Sequence, residues 1–126
     1  LMGEIKQLRE KFNAQHFSFT DSVVNSDMKY FRKLIQHLID YNKELESPLK
    51  YILFIMVRSP HQMTEEDYQL ISKLENVTFK VGIESGSQHI RQKMKKGFTE
   101  EDLSFFMQQI SKYKIPIEIL LMVGYP

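Results

Sequence analysis

Four polar groups punctuate this chain, each directly after a stretch with the pattern of a buried strand: Asp21-Ser22, Arg58, Glu84-Ser85 and Gly124. A carboxylate accepts from an ammonium or from ribose hydroxyls, and an arginine fork clamps a carboxylate. Brought together on one rim, these types would hold a zwitterionic small molecule. The most informative stretch is Phe79-Lys80-Val81-Gly82-Ile83-Glu84-Ser85-Gly86-Ser87-Gln88, where strand alternation runs into a glycine, a carboxylate and a set of small residues. Such strand ends collect ligand groups in barrels and in open α/β sheets.

Each group also has a plainer use. Asp21 could be a turn or cap residue. Arg58, ahead of Ser59-Pro60, could be a solvated charge or half of a structural ion pair. Glu84 follows a buried strand and must be desolvated or paired. Gly82 and Gly86 could serve tight turns alone. Ser85-Gly86-Ser87 could also present amides to a phosphate at a helix start.

Other chemistries find little support. His16, His37, His61 and His89 are scattered, with no pair at helical spacing, and read as surface residues. The serine of Gly82-Ile83-Glu84-Ser85-Gly86 falls one place too late for a nucleophile elbow. The chain has no cysteine, so it can form no disulfide and offers no thiolate to zinc or to an iron–sulfur cluster. No catalytic residue and no metal ligand is assigned within it.

The elements that must position these groups follow from periodicity. Ile5, Leu8 and Phe12 place an amphipathic helix over 1–12, with those three as its apolar face. Phe17 to Thr20 alternates as a short strand. Ser26 or Asp27 then caps a long helix with Phe31, Leu34, Ile35, Leu38 and Ile39 as its buried stripe, and Pro48 bars any continuation. Tyr51 to Val57 is a nearly continuous apolar run, the mark of a parallel strand buried on both faces. Thr64-Glu65-Glu66-Asp67 opens the next helix as a capping box with aspartate in the usual Glu position. Tyr68, Leu70, Ile71 and Leu74 form its inner face.

The strand from about Thr78 to Ile83 follows. Ser87 caps a helix through Met94, which Gly97 terminates. The tetrapeptide Thr-Glu-Glu-Asp returns at 99–102 and starts a helix buried through Leu103, Phe106, Met107 and Ile110. Ile117 to Val123 is the last strand, ending at Gly124. The order is one helix, then β-α three times, then a closing strand. The expected class is α/β: a partial (β/α) barrel of about four parallel strands with helices between them. Residues 1–126 are expected to form a single partial domain. The chain opens within a helix pattern and closes on Gly124-Tyr125-Pro126 directly after a strand, so an internal piece of a longer protein is expected.

Composition fits this reading. Hydrophobic residues make up 42 % of the 126 and charged residues 26 %, a globular balance. Seventeen basic residues against sixteen acidic ones are no footprint for nucleic acid. No apolar run is long enough to span a bilayer, and Leu1-Met2-Gly3-Glu4 does not open like a signal peptide. A soluble, cytoplasmic protein is expected. Its open sheet edges would favour self-association.

Val81-Gly82-Ile83-Glu84-Ser85-Gly86-Ser87-Gln88, followed by Lys96-Gly97-Phe98-Thr99, resembles the fourth-strand segment of radical S-adenosylmethionine (SAM) enzymes. The resemblance is to the branch that often carries a cobalamin-binding domain ahead of the barrel. Phe17 to Ser22 is similar to that family's second strand, Tyr51 to Arg58 to the third, and Leu121-Met122-Val123-Gly124-Tyr125-Pro126 to the fifth. The resemblance implies a partial barrel with SAM lying across the strand ends. Asp21 and Ser22 would then meet the methionine amino group, Arg58 the methionine moiety, Glu84 and Ser85 the ribose, and Gly124 the adenosine side. It further implies a 4Fe–4S cluster and, in the parent protein, cobalamin.

The chain departs from the family in lacking the Cys-x3-Cys-x2-Cys loop and the strand before it. Alone, it is expected to be inactive. Two other classes stay open. Glu84 and Asp21 could be the acid pair of a barrel glycosidase, although no Asn precedes Glu84 and the chain has no tryptophan for a sugar platform. The chain could also be a non-catalytic barrel segment.

Overall fold

The computed structural model describes residues 1–20 and 23–124. Four strands, β1 (His16–Ser18), β2 (Lys50–Ile55), β3 (Val77–Glu84) and β4 (Ile117–Leu121), form one parallel sheet in the order β1-β2-β3-β4. Helix α1 (Met2–Phe12) precedes β1, α2 (Met28–Lys43) joins β1 to β2, and α3 (Glu65–Ser72) joins β2 to β3. Helices α4 (Gln88–Lys93) and α5 (Glu100–Lys112) lie between β3 and β4. The register runs Phe17↔Tyr51, Tyr51↔Val77 and Phe79↔Ile117. Every crossover advances one strand in the same direction. Right-handed crossovers then place all the connecting helices on one face, the arrangement of a barrel segment with no reversal point.

Strand alternation divides the sheet accordingly. Tyr51, Leu53 and Ile55 of β2 and Val77, Phe79 and Val81 of β3 are buried, in one cluster with Phe31, Leu34, Ile35 and Leu38 of α2, Ile71 of α3 and Phe106 of α5. The opposite face carries Ile52, Phe54, Lys80 and Gly82, all half-buried. There Lys80 lies 3.2 Å from Glu118 and over the ring of Phe54. The apolar run of β2 is therefore closed on its helix side and only partly covered on the other. A buried parallel strand and a strand lining an open concave face share the same sequence pattern, so the run alone could not separate them.

Side-chain caps fix where the helices begin. Asp27, not Ser26, caps α2, accepting from the backbone N–H of Lys29 and Tyr30 at 2.8 and 3.0 Å. Both Thr-Glu-Glu-Asp boxes form. Asp67 accepts from the Thr64 N–H and Asp102 from the Thr99 N–H, each at 2.9 Å. Helix α4 ends differently from expectation. Met94 is its C-cap, and Lys95, at φ 55°, takes the left-handed position expected of Gly97. The Lys96 N–H bonds back to the Arg91 carbonyl and the Lys95 N–H to that of Gln92, closing a Schellman motif without glycine.

Two predicted apolar faces are narrower in the fold. Only Ile5 of α1 is buried, while Leu8 and Phe12 are exposed. Met107 of α5 also faces solvent, and Gln109 takes the inward position instead. Helical spacing defines a stripe but not how wide a neighbour covers it.

Candidate functional site on the strand-end rim

The site begins with a glycine. At Gly82 a β-carbon would stand 2.6 Å from Oε1 of Glu84, closer than real side chains approach, so the carboxylate folds back over a position that only glycine leaves open. Glu84 itself sits at φ 69°, in the left-handed region that costs a non-glycine residue about 1–2 kcal/mol. Its turn shifts the register against β4, where Gly82 pairs with Leu120 but Glu84 pairs with Leu121. The Glu84 carbonyl then accepts from the Met122 N–H at 2.9 Å.

Lys96 completes the arrangement. Its Nζ donates to Glu84 Oε1 at 3.0 Å and to the Gly82 carbonyl at 3.4 Å. Glu84 Oε2 has no partner among the described residues. The carboxylate, required by its place to be paired, is thus paired through one oxygen. Backbone strain held at a strand end of this kind is a common mark of functional positions.

Arg58 approaches from the end of β2. Its Nε and Nη2 donate to the Asn25 carbonyl at 3.1 and 2.9 Å, and Nη2 also reaches the Ser26 carbonyl at 2.6 Å. Among the described residues Arg58 therefore has no ion-pair partner, and it is not a purely solvated charge either. It ties the loop before α2 to the sheet, and its Nη1 has no partner among the described residues. Asn25, fully buried, prepares that loop. Its side chain donates to the Met56 carbonyl and accepts from the Met56 N–H, both at 2.9 Å, extending β2 as a strand neighbour would.

Arg58, Ser59, Gly82, Lys96, Phe98 and Asp102 line a shared cleft of about 270 Å³ between the loop after β2 and the loop before α5. The structure thus brings Arg58 to the same cleft as the Gly82–Lys96 support of Glu84. Ser85 lies just outside it. Its Oγ accepts from the Ser87 N–H at 3.1 Å, and its carbonyl accepts from Arg91 Nη1 at 2.8 Å. Gly124, at φ 82°, is exposed beyond the end of β4 and does not line the cleft. Asp21 and Ser22 lie outside the described residues.

Three positioning groups were not anticipated from the sequence: Asn25, Arg91 and Lys96. Arg91 is the largest fully buried side chain, 2 % exposed. It joins the Ser85 carbonyl to the Glu100 carboxylate and stacks over Phe98. Lys96 stood in the motif that carried the family resemblance, so its position was visible although its partner was not. Asn25 and Arg91 gave no comparable signal.

Sheet order, singly wound helices and a polar rim at the strand C-termini together define a segment of a (β/α) barrel. No family model and no curated protein matches the sequence. Solved structures do match in fold. One is the cobalamin-dependent SAM radical enzyme OxsB with aqua-cobalamin bound, with a TM-score of 0.71 and 17 % identity over 95 % of this chain. Another is the radical SAM methyltransferase TsrM from Kitasatospora setae with cobalamin and a 4Fe–4S cluster bound, with a TM-score of 0.70 and 15 % identity over 95 % of this chain. The chain spans 18 % of the first and 24 % of the second. Its fold is that of part of these two radical SAM enzymes. Among the described residues, no helix is long and apolar enough to cross a membrane.

Proposed function

We propose that this chain is the middle portion of a radical SAM enzyme's barrel and that its strand-end rim takes part of the SAM molecule. Glu84 and Ser85 would take the ribose hydroxyls, Arg58 the methionine carboxylate, Asp21 and Ser22 the methionine ammonium, and Gly124 the adenosine side. The observation that carries this reading is Glu84. A strained carboxylate is held over Gly82 at the end of β3, its Oε2 without a partner among the described residues, on a sheet that superposes on two SAM-dependent radical enzymes. Arg58 supports it, because Nε and Nη2 are anchored and Nη1, without a partner among the described residues, could take an anionic group.

The chain's residues do not fit an iron–sulfur cluster, because no thiolate is present. Reductive cleavage of SAM draws its electron from such a cluster. Its ligands, and any cobalamin, would be supplied by parts of the parent protein outside this chain, and the chain alone would not cleave SAM. What these residues would do is bind and orient. Glu84 accepts from hydroxyls, Arg58 donates to a carboxylate, and Lys96 and Arg91 keep the rim in shape.

The test is calorimetric titration of SAM, without reductant, into the full-length protein and its Glu84→Gln variant. Loss of the charged acceptor should weaken binding by about 1–3 kcal/mol. Equal affinity in the two proteins would remove SAM from this rim.

A further inference from the structure

Lys96 is half-buried, and both its hydrogen bonds go to groups that define the rim: the Glu84 carboxylate and the Gly82 carbonyl. The ammonium therefore spans the peptide that Glu84 folds over and the oxygen that folds over it. Without that span, Glu84 would hold a left-handed backbone and a carboxylate crowded against Gly82 with nothing to fix the side chain's rotation. The Schellman turn at Lys95 sets the lysine in place. It reverses the chain after α4, so that Lys96 comes back to the sheet whereas Lys95 is exposed.

We propose that Lys96 is a positioning residue for ligand binding, acting through Glu84. By holding Oε1 it fixes the rotation of the carboxylate beside the cleft and leaves Oε2 as the oxygen to which a ligand hydroxyl can donate. The inference rests on the SAM reading given above, and it adds a residue, a geometry and a direction of action to it. The same bonds could serve folding alone, so the decisive comparison must separate orientation of Glu84 from general stability.

The experiment is a double-mutant cycle on SAM affinity in the full-length protein without reductant, using wild type, Lys96→Met, Glu84→Gln and the double variant, with Lys96→Arg as the conservative replacement. A pair that acts as a unit gives non-additive effects. The expected result is roughly tenfold weaker binding in Lys96→Met, recovery to within about threefold of wild type in Lys96→Arg, and no further loss when Lys96→Met is added to Glu84→Gln. Thermal melts of each variant provide the second readout. A purely structural lysine would lower the melting temperature of the Glu84→Gln background as well and would leave affinity per folded molecule unchanged. Wild-type affinity in Lys96→Met, with Glu84→Gln impaired, overturns this inference alone. Additive losses also overturn it, since Lys96 would then meet the ligand independently of Glu84. Absence of SAM binding in wild type overturns the SAM reading and this inference with it.

Discussion

Glu84 Oε1 occupies the space that a side chain on Gly82 would need, coming within 2.6 Å of the missing β-carbon. The two residues are separated by one position on β3, point to the same face, and are joined again through Lys96. Strand, turn and carboxylate are therefore one device at the mouth of the sheet.

The first consequence concerns Gly82→Ala. The atom that a new methyl would strike is the far end of a side chain, which can swing away, so the fold should survive with a loss of no more than about 1–2 kcal/mol. The swing breaks the contact with Lys96 and moves the acceptor off the rim. SAM affinity of the full-length variant should fall at least as far as in Glu84→Gln. A variant that melts like wild type and binds like wild type would show that the contact has no functional weight.

Glu84→Gly should separate stability from binding. Glycine relieves a left-handed strain of about 1–2 kcal/mol, while the partly exposed ion pair with Lys96 contributes about 1 kcal/mol or less. Denaturant melts should find the variant within about 1 kcal/mol of wild type, on the stable side if strain dominates. SAM titration should find its binding lost. Strong destabilisation would mean that Glu84 is there to hold the fold.

Arg32 of α2 and Asp67 of α3 should make stability fall in acid. Burial pushes the Asp67 carboxyl up, but the hydrogen bond and charge of Arg32, with the Thr64 N–H and hydroxyl, outweigh it and hold the group below the ordinary carboxylate range. A carboxyl depressed in the folded state contributes fully above its unfolded value, about 3.9. That contribution is lost as pH drops from there through the folded value. Arg32→Met leaves the buried acid with only the N–H and hydroxyl of Thr64 and should cost about 1–2 kcal/mol at neutral pH, the arginine being partly exposed. The variant's deficit should shrink below pH 4, as followed by circular dichroism melts across pH. A deficit independent of pH would assign the effect to packing.

The edge strand β4 should drive self-association of the 15.0 kDa chain on its own. Ile119, Leu120 and Leu121 of the strand, and Met122 and Val123 just beyond it, are all exposed. The one charge along this edge, Glu118, is already turned to Lys80. An apolar edge without a free charge is a template for another strand. Sedimentation velocity should find dimers or larger species, reduced by Leu121→Lys. A monodisperse monomer with a cooperative melt would end this expectation.

Strand-and-helix order, the α/β class and the two Thr-Glu-Glu-Asp caps were all legible in the sequence, because each depends on near neighbours. A period of two or of 3.6, a cap three residues from its partner and a glycine before a carboxylate are local facts. The places where the reading missed are those where distant segments meet. Lys95 is the local exception: it takes the turn expected of Gly97 because the two short-range Schellman bonds, from Lys96 to Arg91 and from Lys95 to Gln92, offset its left-handed penalty. Leu8, Phe12 and Met107 stay exposed because, among the described residues, no neighbour covers that width of helix. The rim itself belongs to the tertiary structure. Asn25 reaches Met56 across 31 positions, Arg58 reaches Asn25 across 33, and Lys96 reaches Glu84 across 12. A one-dimensional pattern can propose that a carboxylate needs a partner; only the folded chain chooses which cation it is and which oxygen it leaves free.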